Sequence, residues 1–171
     1  MKILALDQAT KCGYAHSDGQ SGVWDISVHK DESSGMRLIR LRNKLNEFIG
    51  MVDLVAFEAS RNLKYGHAVR VAAEIQGTIT TWCIDNNVEY VGISPNVIKK
   101  HATRSGNASK KQMLDAAIKK WPDKALFSDD EADALWLLDY TETLFQERLE
   151  PCAKEGQWKK AKKAKGDIGG T

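Results

Sequence analysis

The chain has 171 residues, of which 42% are hydrophobic, and this suffices for one sizeable core without a second domain. No apolar stretch reaches membrane-spanning length and no basic leader with a cleavage site opens the chain, which predicts a cytoplasmic protein without a membrane partner. Three widely separated cysteines argue against a disulfide framework, and a net charge of +2 is too small to indicate nucleic-acid binding by itself.

The first 57 residues predict, in chain order, a strand, a turn, the two strands of a hairpin, a helix and a further strand: residues 1–6, 8–13, 14–17, 23–28, 34–49 and 51–57. Segment 18–22 has the Asp and Gly content of a hairpin turn. Ser33 or Ser34 caps the helix and Gly50 ends it. The last strand is apolar on both faces except at Asp53, which is typical of a central parallel strand covered by helices.

The rest of the chain predicts a helix, a strand and three more helices: residues 67–86, 88–93, 96–102, 110–121 and 131–145. Ser128 and Glu131 form a capping-box pattern at the last helix. These elements indicate an α/β fold in which helices flank a mixed five-stranded sheet. We expect one domain over residues 1–145 and a basic, flexible tail over residues 146–171, which either contacts phosphates or is only solvated.

Four carboxylates stand where predicted segments begin or end. Asp7 and Glu58 each follow an apolar strand, while Asp130 and Asp133 begin the last helix, where Asp129 is an alternative to Asp130. A lone Asp after a strand is usually a solvated turn residue, but two strand ends and one helix face can converge on a point. Four converging carboxylates would repel one another unless cations lay between them. The pattern therefore predicts a site for two Mg²⁺ ions about 4 Å apart that cleaves a phosphodiester.

Five segments in this order and spacing resemble the RuvC-type Holliday junction resolvases of the ribonuclease-H-like superfamily. They are ILALD at 3–7, VAFE at 55–58, SPNVIKK at 94–100, ASKKQ at 108–112 and DEADAL at 130–135. The resemblance implies a ribonuclease-H-like fold and a homodimeric, Mg²⁺-dependent endonuclease, with Mn²⁺ able to substitute, that nicks four-way DNA junctions on opposing strands. It implies that the metal ligands are Asp7, Glu58, Asp130 and Asp133.

The same resemblance places Lys99 and Lys110 near the scissile phosphate, with Lys110 in a catalytic role. Where the family usually carries an aromatic side chain three residues after the second acid, this chain has Arg61. Arg61 and Tyr65 are the candidates to stack on an unpaired base. Basic clusters flank both sides of the proposed site, and the predicted DNA-binding residues are Arg61, Lys64, Tyr65, Lys99, Lys100, Arg104 and Lys111.

Other classes of protein share parts of this pattern. An ATP-dependent phosphotransferase of the actin and sugar-kinase kind also begins with a strand that ends in Asp, but it needs two such halves. A noncatalytic DNA-binding module would not need acids at all four positions. A nuclease of the same fold that acts on flaps or RNA–DNA hybrids is the enzymatic alternative, and the sequence leaves it open.

Overall fold

The computed structural model describes residues 1–59, 66–124 and 128–149. The strands within them are β1 (Ile3–Asp7), β2 (Lys11–His16), β3 (Ser21–Asp25), β4 (Leu54–Glu58) and β5 (Glu89–Ile93). The helices are α1 (Gly35–Asn46), α2 (His67–Asp85), α3 (Pro95–Thr103), α4 (Lys110–Lys120) and α5 (Asp129–Leu149). Three predicted DNA-binding residues, Arg61, Lys64 and Tyr65, lie outside the described residues, and so does the chain from residue 150 onward.

The five strands form one mixed sheet in the order β3-β2-β1-β4-β5. β1 pairs antiparallel with β2, which pairs antiparallel with β3. β1 also pairs parallel with β4, which pairs parallel with β5. This confirms the predicted mixed five-stranded sheet flanked by helices and puts β1 at its centre.

Helices cover both faces of the sheet, and the alternation of side chains along β1 shows which residues face which layer. Leu4 and Leu6 pack in the core that contains buried residues of α1 and α2. Ile3 and Ala5 pack in the core that contains buried residues of α3, α4 and α5. Because alternate residues of a strand share a face, Asp7 lies on the same face as Ile3 and Ala5, which is the face covered by α3, α4 and α5.

Two strand boundaries differ from the prediction in a way that matters for the carboxylates. Asp7 and Glu58 are the last residues of β1 and β4 and do not follow them. β2 begins at Lys11, three residues before the predicted residue 14, so that Gly13 lies inside a strand and does not end a turn. The hairpin register extends to the Lys11–Asp25 pair, which explains why the strand is longer than its apolar part.

Gly13 is required by the close approach of α5 to β2. A Cβ atom at this position would lie 1.9 Å from the backbone oxygen of Asp130. No side chain fits at that separation without moving α5 or the strand. The glycine thus allows the helix that carries Asp130 and Asp133 to lie directly against the sheet.

We expect Gly13→Ala to lower the free energy of unfolding by roughly 1–3 kcal/mol or more, since overpacking of this size forces backbone shifts. Urea unfolding followed by circular dichroism measures the change. Gly77→Ala in α2 is the matched control, because a Cβ there meets nothing within 4 Å. The control should be neutral or slightly stabilising. A Gly13→Ala variant as stable as the control would contradict the close packing of α5 on β2.

Helix caps agree with the local sequence only in part. At α1 the predicted Ser34 cap makes no side-chain hydrogen bond, and the helix ends at Asn46, before the predicted stop at Gly50. Ser109 and Gln112 form a reciprocal capping box at the start of α4. Pro95 occupies the first turn of α3, where its missing N–H is not needed. At α5 the Ser128 Oγ accepts a hydrogen bond from the Glu131 N–H at 3.2 Å, which is half of the predicted capping box. The Glu131 carboxylate accepts a hydrogen bond from Ser21 Oγ at 2.8 Å and so joins α5 to β3.

Tryptophans contribute to both cores. Trp82 and Trp136 are buried, and Trp121 packs at the edge of the same core as Trp136. Trp24 is buried and stacks on Tyr14 with ring centroids 4.7 Å apart. The hairpin is therefore anchored by an aromatic pair on the α1–α2 side of the sheet.

Two of the three cysteines lie in the described part of the chain. Cys12 and Cys83 are buried and free, whereas Cys152 lies outside the described residues. Of the helices in the described part of the chain, none has both the length and the apolar character to cross a membrane.

Candidate metal and nucleic-acid site

Three of the four predicted carboxylates line one cleft. Asp7 comes from the end of β1, Glu58 from the end of the neighbouring parallel strand β4, and Asp133 from the second turn of α5. The cleft has a volume of about 30 Å³. Since about 10–15 Å³ of such space holds one water, it can take an occupant of that size. Its other lining residues are Lys99, Pro95, Ile98, Met113 and Leu137.

The carboxylates repel one another. Burial, as the largest cause, and the charges of Asp133, Glu58 and Asp130 together raise the pKa of Asp7 from 3.8 to about 7. Burial is also the largest cause of the raised pKa values of Glu58 and Asp133. A positive charge in this cleft would therefore be stabilising.

Two lysines oppose this negative charge. Lys99 on α3 lines the cleft, and its ammonium group lowers the pKa values of Glu58 and Asp133 against the effect of burial. Lys110, the first residue of α4, acts in the same sense on Asp7 and Asp133. The structure thus places both lysines in the electrostatic environment of the acids, with Lys99 in the lining of the cleft itself.

Asp130 stands one helical turn from Asp133 and borders a neighbouring open groove with Lys11, Ser128, Glu131 and residues 21–23. Its charge still raises the pKa values of both Asp7 and Asp133. The charge of Asp129 is a cause of the shift at Asp133 but not at Asp7. Of the two alternatives, Asp130 is therefore the one that acts on the strand carboxylate.

The donor set fits a hard divalent cation. Within residues 1–59, 66–124 and 128–149, no three His, Cys, Asp or Glu side chains are arranged as a ready-made metal shell. The side chains that line the cleft nevertheless offer carboxylate oxygens and neither thiolate nor imidazole, which is the ligand chemistry of Mg²⁺, Ca²⁺ and Mn²⁺. The sulfur in the lining is the thioether of Met113, a soft and weak ligand that these hard cations do not favour. The mutual repulsion of the carboxylates is also the kind that a cation offsets.

The remaining predicted DNA-binding residues that the structure describes lie outside the cleft. Lys100 on α3 and Lys111 on α4 are exposed, and Arg104 is the left-handed residue that ends α3. His101 forms a hydrogen bond of 2.6 Å with Asp139 on α5 and does not line the cleft. Lys100, Arg104 and Lys111 therefore do not line the cleft, whereas Lys99 does.

Sequence reasoning missed one residue at this site. Gln8 directly follows Asp7 and is buried, and its Nε2 donates a hydrogen bond of 2.6 Å to the backbone oxygen of Glu58. The only signal in the sequence is a polar residue next to a strand-end acid, which is also typical of a turn.

Known proteins resemble this chain in sequence and in structure. No family model matches the sequence. The chain is 26% identical over 149 residues to the crossover junction endodeoxyribonuclease RuvC of Brachyspira hyodysenteriae, with 79% of this chain and 89% of the relative covered. The structure of Thermus thermophilus RuvC superimposes with a TM-score of 0.67 at 15% identity, covering 84% of this chain and 96% of that one.

A second solved structure, T. thermophilus RuvC in complex with a Holliday junction substrate, matches with the same TM-score of 0.67 over 80% of this chain and 90% of that one. The chain is RuvC-like in sequence and fold. The predicted resemblance and the predicted ribonuclease-H-like fold are thereby confirmed. The ends of β1 and β4 meet at one cleft because the two strands are parallel neighbours, and α5 joins them there because it packs against the same face of the sheet.

Proposed function

We propose that this protein is a metal-dependent endodeoxyribonuclease that resolves four-way DNA junctions by paired, symmetric nicks. The observation that carries the proposal is the cleft in which Asp7, Glu58 and Asp133 lie together with Lys99. Acids at two parallel strand ends and on one helix suit phosphodiester hydrolysis. A cation held there would face the phosphate, and the lysines would offset the negative charge of the phosphate. The similarity to RuvC proteins from two organisms supports the same reaction.

Each residue of the cleft has a separate task in this proposal. Asp7, Glu58 and Asp133 would hold the cation from within the cleft, and Asp130 would complete the ligand set from the first turn of α5. When bound, a divalent cation supplies Lewis acidity and activates the attacking water. Lys110 offsets the charge that builds on the phosphate, and Lys99 orients a phosphate oxygen towards the acids. The products would carry 5′-phosphate and 3′-hydroxyl ends.

The identity and number of the metal ions belong to the proposal. We infer two Mg²⁺ ions, for which Mn²⁺ can substitute, since two cations would stabilise both the attacking and the leaving oxygen. Carboxylate oxygens suit both metals. The ligands in this proposal are Asp7, Glu58, Asp130 and Asp133.

Contacts to the DNA outside the cleft would come from basic and planar side chains around its opening. Exposed lysines and Arg104 on α3 and α4 would bind phosphates without reading sequence. Arg61 or Tyr65 would stack on an unpaired base. The full proposed set is Arg61, Lys64, Tyr65, Lys99, Lys100, Arg104 and Lys111. The division into a nuclease domain over residues 1–145 and a basic tail over residues 146–171 stays a prediction.

A homodimer is part of the same proposal. A four-way junction has approximate two-fold symmetry, so two sites related by a two-fold axis could nick opposing strands. Helix α2 buries Val71, Ile75 and Ile79, which leaves Ala73 exposed and Val69 half-buried. Those two residues are our candidates for a self-complementary contact between protomers.

Cleavage of a substrate panel tests the proposed function. Labelled four-way, three-way, flap and duplex DNA and an RNA–DNA hybrid would be incubated with Mg²⁺, while the mass of the protein is measured in solution. We expect a dimer that makes paired nicks across the four-way junction. A monomer that nicks one strand, or a preference for flaps or hybrids, would replace the resolvase with another nuclease of the same fold. A panel left uncut would contradict the nuclease itself.

Lys110 offers a more specific test. We expect Lys110→Ala to reduce the single-turnover cleavage rate by a factor of roughly 10²–10³, the scale for loss of one group that stabilises charge in the transition state, with little loss of junction affinity. Lys111→Ala is the matched control, because Lys111 is the next residue on α4 and is exposed. The control should weaken binding more than it slows cleavage. Equal losses of rate and affinity in Lys110→Ala would instead indicate a general phosphate contact.

A further inference from the structure

Gln8 forms a bridge between the two strands that carry the cleft carboxylates. Its side-chain Nε2 donates to the backbone oxygen of Glu58 at 2.6 Å, so the residue after Asp7 holds the backbone of the second acid. Gln8 has only 9% of its surface exposed. The bond therefore forms where water does not compete with it.

This bond lies where the regular ladder between the strands ends. The last recorded pair of β1 and β4 is Leu6 with Phe57, one residue before Asp7 and Glu58. Beyond it the chain reverses direction, since the Ala9 N–H donates to the Asp7 carbonyl at 3.0 Å. The reversal removes backbone donors of β1 from the ladder, and the Gln8 side chain supplies one in their place.

Within the described residues, the Gln8 side chain makes one hydrogen bond, the one to Glu58. The Gln8 Oε1 atom is buried and has no hydrogen-bond partner within the described residues. A buried acceptor without a partner is destabilising, and an apolar side chain of the same size would avoid that cost. We therefore attribute the role of Gln8 to the hydrogen bond that its amide donates to the Glu58 backbone.

We propose that Gln8 is a positioning residue of the carboxylate cleft, which sets the separation of Asp7 and Glu58 for binding a divalent cation. The inference rests on the proposed function only in that the cleft is taken to hold a cation. Gln8 itself contacts neither cation nor DNA in this role. It acts through the backbone of Glu58, as residues outside a metal shell commonly orient the ligands.

Gln8→Met tests the role, because methionine retains the length of glutamine but cannot donate the bond. Binding of Mn²⁺ to the full chain without DNA would be measured by calorimetry, and unfolding by urea in EDTA. We expect unchanged or increased stability without metal, and an affinity for Mn²⁺ that is ten- to a hundredfold lower, the range seen when such outer residues are removed. On junction DNA, kcat at a fixed, subsaturating Mn²⁺ concentration should fall while KM for DNA stays within about twofold.

Ser17→Ala is the matched control. The Ser17 Oγ accepts a hydrogen bond from the Ile3 N–H at 3.0 Å, at the end of β1 opposite to the cleft. Its loss should lower stability and leave Mn²⁺ affinity and kcat unchanged. If this control weakened Mn²⁺ binding as much as Gln8→Met does, the effect on affinity would be a general loss of order in β1 and the positioning role would be overturned.

The other outcomes are equally decisive. Wild-type affinity for Mn²⁺ in Gln8→Met would overturn the positioning role, and so would a wild-type protein that binds no Mn²⁺. If Gln8→Met does not fold, Gln8→Leu takes its place, and failure of both variants to fold would assign Gln8 to folding instead. Loss of Mn²⁺ affinity in the variant of a protein that cuts no branched DNA would support the role of Gln8 while contradicting the proposed nuclease.

Discussion

Asp7→Asn should reduce cleavage of a four-way junction by a factor on the order of a thousand or more, the upper scale for loss of one preorganised electrostatic group. Asp7 stands at the end of the central strand, and the charges of all three other acids act on it. An amide keeps the shape of the side chain but is a weak ligand for a hard cation. The variant should fold and should bind junction DNA, because removing the charge relieves repulsion in the cleft.

Single-turnover cleavage and a gel-shift titration, carried out on the same preparation, separate the two effects. Asp53→Asn is the matched control, since the Asp53 carboxylate accepts a hydrogen bond of 2.7 Å from the Lys2 N–H at the opposite end of the same strands. We expect the control to cut at the wild-type rate. Glu58→Gln, Asp130→Asn and Asp133→Asn should resemble Asp7→Asn. Wild-type turnover in any of these variants would remove that residue from the metal site.

The position of the acids could be predicted from the sequence because their setting is local. A carboxylate that follows four or five apolar residues stands near the end of a buried strand, and two such ends in a parallel sheet lie at the same edge. In the structure β1 and β4 end one residue later than predicted, so that Asp7 and Glu58 are the last residues of their strands. Periodicity of side chains detects a strand, but it does not determine where the backbone pairing stops.

Contacts between segments far apart in sequence could not be predicted in the same way. Gly13 has the appearance of a turn residue until α5 is placed 1.9 Å from its absent Cβ. The hydrogen bond of Gln8 likewise depends on the backbone of Glu58, fifty residues later in the sequence, which lies beside it only in the folded chain. Both depend on how a helix or a second strand packs on β1 and β2. No window of local sequence contains that information.

The pH dependence of stability provides the second large effect. The pKa of Asp7 is raised from 3.8 to about 7 in the folded protein. Between these values the native state keeps a proton that the unfolded chain releases, so the free energy of unfolding falls as the pH rises. A pKa difference of about three corresponds to about 4 kcal/mol at most, present as added stability below pH 4 and lost above pH 7.

Urea unfolding in EDTA at intervals from pH 4 to pH 8 measures this loss, and Asp7→Asn should flatten the profile. Asp18, Asp25 and Glu32 have lowered pKa values, so their effects fall mainly below this window. Groups remote from the cleft titrate alike in both proteins, and the difference between the two profiles isolates Asp7 and its coupling to the other acids. A saturating divalent cation should restore wild-type stability most strongly above pH 7, where all the acids are charged. Parallel profiles for wild type and Asp7→Asn would show that Asp7 is not the strained charge at the centre of the cleft, and a metal effect independent of pH would point to a cation bound elsewhere.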